Sequence, residues 1–277
     1  MPTTEENKTI QIKNVTSFDL TQTLECGQCF RWQKTGEKTY CGTAYGKSLT
    51  VRQDNNVLTF CCSRQDFDDI WYNYFDLKTD YDRIGKEIAE ISPLMKEIQQ
   101  FSQGIRILQQ DSWETLCSFI LSQNNNIPRI KGIVQRLCEN FGERIADGNY
   151  TFPSAETLCQ YTVDDFAVLR SGFRARYIVD ASQKVACGEI DLQKIRQMSV
   201  DTARAELMKI KGVGKKVADC TMLYGMGKTE CFPVDVWIKK AMATLLPAVS
   251  PECFGENAGI AQQYIYYYSR FHADLFK

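Results

Sequence analysis

A single histidine, His272, stands among 277 residues, and that scarcity closes several routes to chemistry. Ser-His and Cys-His nucleophiles both need an imidazole beside the attacking atom, so the sequence argues against either. A zinc site fails for a related reason. Cys26 and Cys29 form a C-x-x-C pair, but a second pair or two histidines would have to complete the tetrahedron. No metal and no other cofactor is expected. No apolar run approaches the roughly 18 residues that span a bilayer. Met1 to Lys8 carries Glu5 and Glu6 where a leader would have basic and then apolar residues. The expectation is a soluble, unsecreted protein with no membrane partner. Neither sign of charge dominates: 33 Lys and Arg stand against 34 Asp and Glu, for a net charge of −1. Composition alone therefore does not announce a nucleic-acid binder.

Cysteine, by contrast, is abundant. The twelve thiols are scattered along a chain too long to need staples, and they read as reduced groups, several packed in the core. The near-neutral charge is also unevenly placed. From Glu206 to Lys240 there are seven lysines against four acids, and Arg170, Arg174 and Arg176 crowd another stretch. A local basic face could hold DNA, although a solvated surface is the simpler account of such clusters.

From about Ile10 to Cys62 the pattern is of strands. Thr39 to Thr43 and Leu49 to Arg52 are separated by turn signals at Gly36, Gly46 and Asn55-Asn56, which predicts an antiparallel sheet. From Asp66 onward the pattern turns helical, with Ile84, Ile88 and Ile91 at helical spacing before Pro93. Asp111-Ser112-Trp113-Glu114 has the form of a capping box. It opens a helix whose apolar stripe runs through Trp113, Leu116, Cys117, Ile120 and Leu121 and which should end by Asn124-Asn125-Asn126. Further helices are predicted over 130–141, 155–161, 163–169 and 175–186. The fold class is α+β: a small amino-terminal antiparallel sheet domain with helices over residues 1–100, followed by a mostly α-helical body over 101–277.

The most informative stretch is Leu207-Met208-Lys209-Ile210-Lys211-Gly212-Val213-Gly214-Lys215-Lys216-Val217-Ala218-Asp219-Cys220. One short helix ends at glycines able to take positive φ, and a second begins at once, so a helix-hairpin-helix is expected over about 204–226. Backbone amides of Gly212, Val213, Gly214 and Lys215 at such a helix start suit a phosphate oxygen, through unpaired donors and the helix dipole. Main-chain donors grip backbone rather than bases, so binding there would be independent of sequence. A phosphate-binding P-loop is excluded by spacing. A plain helical turn is the simpler reading of an isolated G-x-G.

The continuation alters the balance. Cys231-Phe232-Pro233-Val234-Asp235-Val236-Trp237-Ile238 lies fifteen to twenty-five residues downstream. Gly-Val-Gly, then Lys, then Pro-Val-Asp resembles the signature of the helix-hairpin-helix DNA glycosylases that carry a Gly/Pro-rich loop and an Asp. The resemblance narrows on three further segments in family order, Gly27-Gln28-Cys29-Phe30-Arg31-Trp32, the run from Phe119 to Ile130, and Gly172-Phe173-Arg174-Ala175-Arg176-Tyr177. Together they look like 8-oxoguanine DNA glycosylase/lyases over about Leu24 to Arg270.

The resemblance implies excision of 8-oxoguanine opposite cytosine from double-stranded DNA, by a monomer that also nicks the abasic strand. It makes Lys216 the nucleophile and Asp235 its catalytic partner. In the first turn of a helix, the dipole and partial burial would both disfavour an ammonium. Asp235 can cap the following helix and still stabilise an oxocarbenium-like sugar. The carbonyl of Gly27 would accept N7–H of the lesion, a donor that guanine lacks. Cys220, one turn after Lys216, would form one wall of the base pocket and Tyr266 the other, with Gln262 on the Watson–Crick edge. Asn124 would fill the vacated stack, Phe173 would wedge it, and Arg129 and Arg174 would read the stranded cytosine.

Each of these residues also has a plainer structural account: a turn glycine, a helix-end Asn, a core Phe, surface arginines. The chain departs from the family pattern at Tyr266, where Phe is common, at Phe173, where Tyr is common, and at Trp237, where His is common. That last change puts a phosphate contact in doubt. Only Cys231 and Cys253 follow Cys220, so the four-cysteine iron–sulfur loop of related branches cannot be built there. Two alternatives remain open, a non-catalytic helix-hairpin-helix module that senses lesions and a glycosylase for another damaged purine. The resemblance implies a nucleoid-associated cytoplasmic protein in a bacterium and a nuclear one in a eukaryote.

Overall fold

The computed structural model describes residues 9–145 and 147–276, so the Met1 to Lys8 stretch lies outside the described residues. Its sheet is antiparallel throughout. Strands β1 (Thr9–Ile12), β2 (Trp32–Gly36), β3 (Thr39–Ala44), β4 (Lys47–Asp54) and β5 (Val57–Cys61) lie in the order β1-β5-β4-β3-β2. Alternation decides which face is covered. Leu49 and Val51 of β4 and Leu58 and Phe60 of β5 point inward, with Val51 opposite Phe60. Against them pack Trp32, Phe67, Trp71, Tyr74 and Phe75. The last four come from a helical stretch made of α2 (Arg64–Asp66), a π-turn (Phe67–Trp71) and α3 (Tyr72–Tyr74), with Phe75 just beyond it.

The strand pattern misses one element. Within the sheet region, α1 (Leu20–Glu25) forms because the Asp19 carboxylate caps it, accepting from the Gln22 amide at 2.8 Å. Buried Gln53 of β4 fastens it by accepting from the Leu20 amide and donating to the Phe18 carbonyl.

The buried residues of α4 (Tyr81–Ala89) and α5 (Pro93–Ser102), among them Ile84, Ile88, Met95 and Ile98, join the core of the helices and not that of the sheet. The two cores interleave along the chain, with Cys26 and Phe30 reaching into the helical core and Leu108 into that of the sheet. At the centre of that core α6 (Ser112–Ser122) lies against α12 (Lys215–Met226). Residues 115–121 of α6 are all buried, so this helix is enclosed on every side where one apolar stripe was expected. Asp111 caps it through the Trp113 and Glu114 amides. Glu114 does not complete the capping box; it is buried and pairs with Arg31 at 3.2 Å.

Around these run α7 (Ile127–Phe141), α8 (Ala155–Leu158), α9 (Ala175–Ala186), α10 (Leu192–Gln197), α11 (Val200–Leu207), α13 (Val236–Leu245) and α14 (Ala258–Phe271). The helices expected over 155–161 and 163–169 are shorter than predicted, the second being a 3-10 turn at Asp165–Leu169. All twelve cysteines are free thiols, six of them buried. Among the described residues no group of His, Cys, Asp and Glu could hold a metal ion, and no helix is long and apolar enough to cross a membrane.

Candidate active site

The hairpin between α11 and α12 depends on Gly212. Its φ is +82°, and a Cβ there would lie 2.5 Å from the Tyr177 ring, so both backbone and space demand glycine. Gly214 begins α12 without a side-chain cap, and Gly214 and Lys215 are exposed. The opening amides of α12 thus form an anion-seeking end. The turn is anchored from below. The Lys211 amide donates to Asp180 at 2.7 Å, the Lys184 ammonium to the Lys209 carbonyl at 2.6 Å, and Arg204 of α11 pairs with buried Asp219 of α12 at 2.6 Å.

Residues a few positions into α12 point inward. Lys216 is half-buried, its Nζ 3.5 Å from the Ser122 hydroxyl and 4.8 Å from the centre of the Phe119 ring. Lys215, about 100° round the helix, is exposed. Asp235 caps α13, accepting from the Ile238 amide at 2.8 Å, and is half-buried. Because a cap uses one carboxylate oxygen, the other remains available.

Lys216 and Asp235 lie where two clefts meet. The inner one, about 340 Å³, is lined also by Gly27, Phe119, Cys220, Tyr224, Gln262 and Tyr266. The outer, about 1190 Å³, is open and runs between Ser122–Asn125 and Val234–Trp237. Gly27, with φ +90°, presents its Cα to the pocket so closely that a Cβ would lie 3.7 Å from the Tyr266 ring and 3.2 Å from Ile127. Burial pushes the Cys220 thiol up to about 11, against the opposing pull of Lys216, and raises the Tyr266 hydroxyl, so both walls are neutral near pH 7. Gln262 is buried, and its Oε1 has no hydrogen-bond partner. Such an orphan acceptor costs free energy unless something else completes it.

The pocket has a second layer that the sequence reading missed. Tyr224 stacks on Phe119 with ring centres 5.3 Å apart, and its hydroxyl donates to Gln263 Oε1 at 2.5 Å. Gln263 in turn donates to the Cys26 carbonyl at 3.1 Å, beside Gly27. Helical spacing from Cys220 was the available signal for Tyr224; nothing in the sequence joins Gln263 to residue 26.

The residues expected on the far side of the duplex gather at the loop between α6 and α7 and at the start of α9. Asn124 is exposed with φ +47°. Phe173 is 47% exposed, unlike a core phenylalanine. Arg129 is exposed, but Arg174 is not. Its Nε donates to the Gln123 carbonyl at 2.7 Å and Nη1 to the Ser171 carbonyl at 3.0 Å, while Nη2 serves the carbonyls of Gln123 and Asn124. Four of its five N–H groups are thereby engaged, leaving one on Nη1. Burial, and then Arg129, lower its pKa.

A separate cleft of about 670 Å³ between α7 and the sheet contains Arg31, Lys131 and Glu139. There Arg31 is paired with Glu114, and Lys131 donates to the Trp32 carbonyl, so no charge on it awaits a ligand.

A hairpin whose second helix opens on anion-seeking amides, and a lysine and an aspartate at the mouth of an enclosed pocket, define a helix-hairpin-helix DNA glycosylase. The profile of "8-oxoguanine DNA glycosylase, N-terminal domain" matches residues 10–116, and that of "HhH-GPD superfamily base excision DNA repair protein" matches 117–250. An N-glycosylase/DNA lyase of Saccharomyces cerevisiae is 34% identical over 266 residues, 82% of this chain and 68% of that protein. MBOgg1, solved with a low-affinity DNA ligand, superposes with a TM-score of 0.92 at 43% identity, covering 97% of this chain and 98% of the other. The 8-oxoguanine glycosylase/lyase of Clostridium acetobutylicum, bound to duplex DNA with cytosine opposite 8-oxoguanine, gives 0.90 at 38% identity over 97% of each chain. This chain belongs to the 8-oxoguanine DNA glycosylase family of base-excision repair proteins.

Proposed function

We propose that this protein flips 8-oxoguanine out of duplex DNA where it faces cytosine, excises it through Lys216, and cleaves the abasic strand by β-elimination. The observation that carries this is the orphaned, buried Gln262 Oε1 in a pocket whose mouth holds Lys216 and Asp235. A guanine-type edge offers donors to that oxygen. The neighbouring Gly27 carbonyl would accept the N7–H that only the oxidised base carries, and Cys220 and Tyr266 would enclose its faces.

As the C1′–N9 bond breaks, electrons pass to the departing base and positive charge builds on the sugar, where the Asp235 carboxylate stabilises it. The Lys216 amine, its proton passed to the departing base, attacks C1′. Ring opening yields an imine between Nζ and C1′. Loss of a proton from C2′ then expels the 3′-phosphate, and water releases the lysine. Asn124 occupies the vacated stack and Phe173 props it open. Arg129 reads the stranded cytosine, as does Arg174 through its remaining donor and whichever loop carbonyls it releases. The protein acts as a monomer, in the nucleoid of a bacterium or the nucleus of a eukaryote.

Borohydride reduction of the imine tests the chemistry. Wild type and Lys215→Gln should give a covalent protein–DNA adduct on an 8-oxoguanine:cytosine duplex, whereas Lys216→Gln should give none while still binding the lesion. Adduct formation that survives loss of Lys216 and vanishes with Lys215 would reverse the assignment, and equal cleavage opposite all four bases would remove the cytosine preference.

A further inference from the structure

The loop that delivers Asp235 also exposes an apolar edge that catalysis does not use. Capping by Asp235 sets the phase of α13, turning Ile238 and Ala241 inward and residues 236, 237, 239 and 240 outward. As a result Val234, Val236 and Trp237 are 43%, 83% and 44% exposed, and all three line the outer cleft beside Lys216 and Asp235. Exposed apolar groups clustered along one groove mark a binding surface. This groove is continuous with the catalytic pocket through two shared residues, so a base that enters through the groove passes the edge.

We infer that Val234, Val236 and Trp237 form an apolar lip that packs against the sugar and base faces of a nucleotide flanking the flipped lesion, with Trp237 as its main contact. This rests on the DNA-binding role proposed for the site. Phosphate contacts release counterions and weaken steeply with salt; contact between an aromatic ring and a nucleoside does not. The lip therefore supplies the salt-insensitive part of the affinity on the lesion strand, beside a hairpin that supplies the salt-sensitive part.

The protein has four tryptophans. Trp32 and Trp71 are fully buried, and Trp113 is packed against the helical core with its indole N–H on the Pro153 carbonyl. Trp237 is thus the indole best placed to report on a ligand. Fluorescence titration with a duplex containing a tetrahydrofuran abasic analogue should quench wild type, and the quench should disappear in Trp237→Phe. Affinity of Trp237→Ala, measured by anisotropy of labelled DNA from 50 to 300 mM salt, should fall about tenfold at every salt with an unchanged log–log slope, the scale of one aromatic contact. Trp237→Phe should recover most of it. Quenching that persists in Trp237→Phe, unchanged affinity in Trp237→Ala, or a slope reduced by about one unit would overturn the lip, the last because it signals a lost phosphate contact. If wild type binds no duplex, both the lip and the DNA-binding reading fail; if it binds normally and only Trp237 is silent, the lip alone fails.

Discussion

The inner pocket that holds Gln262 and the loop around Asn124 border one groove system but are built on opposite principles. In the pocket a buried acceptor, Gln262 Oε1, is left unpaired and the walls are neutral groups on the packed helices α12 and α14. In the loop a buried cation, Arg174, is almost completely satisfied by the backbone it holds in place. A preformed site carries its strain as an unmet hydrogen bond that the ligand can complete. The loop, with left-handed Asn124, uses the Arg174 side chain as its scaffold. On the function proposed above, the pocket is ready before DNA arrives, whereas the loop would have to release some of these contacts to read a base.

The largest difference should follow from removing each polar group in turn. Arg174→Ala strips donors from the carbonyls of Gln123, Asn124 and Ser171 and should lower unfolding stability by about 3 kcal/mol, since hydrogen bonds from a buried charge are strong and their loss leaves acceptors unmet. Arg174→Lys should recover little, because one ammonium cannot reproduce the guanidinium fork. Denaturant midpoints measure this; a change below about 0.5 kcal/mol would mean that water replaces the arginine freely and the loop needs no scaffold. Gln262→Leu should behave in the opposite manner. It removes an acceptor that is already unsatisfied, so stability should hold or rise, while affinity for the flipped guanine-type base falls by about 1 to 3 kcal/mol. Loss of stability in this variant would reveal a hidden partner for Gln262 and weaken its assignment to the lesion.

The two regions were also unequally legible. Local chemistry places Cys220 one helical turn from Lys216 and marks Asp235 as a helix start, whereas bringing Asp235 to Lys216 rests on the family resemblance, because spacing alone leaves Gly-Val-Gly a plain turn. The α+β division was readable from the change of hydrophobic period. The assignment of α4 and α5 to the helical core was not, since periodicity says which face of a helix is buried but not against what. The burial of Arg174 was not readable for the same reason: its plain alternative is a surface arginine, and only tertiary contact brings the carbonyls of Gln123, Asn124 and Ser171 onto it. Gln262 and Gln263 are adjacent in sequence and alike in type. Both line the pocket, but Gln263 is tied to the Tyr224 hydroxyl and the Cys26 carbonyl while Gln262 Oε1 is left unpaired.

The smallest effect expected is chemical, and it asks how dry the pocket is. With the Cys220 thiol raised to about 11 by burial, only about one molecule in a thousand carries the thiolate at pH 8, and the thiolate is the species that alkylates. Cys61, Cys187 and Cys253 are exposed. Excess iodoacetamide at pH 8, followed by peptide mass mapping, should therefore label those three and spare Cys220, with excision activity intact. Deprotonation rises with pH, so near pH 10.5 a substantial fraction of Cys220 ionises and labelling should begin, blocked by a duplex whose flipped base fills the space between Cys220 and Tyr266. Rapid labelling of Cys220 at pH 8 would mean that water already enters the pocket and that its walls are mobile. The contrast would then be lost, because pocket and loop alike would have to be organised by the DNA.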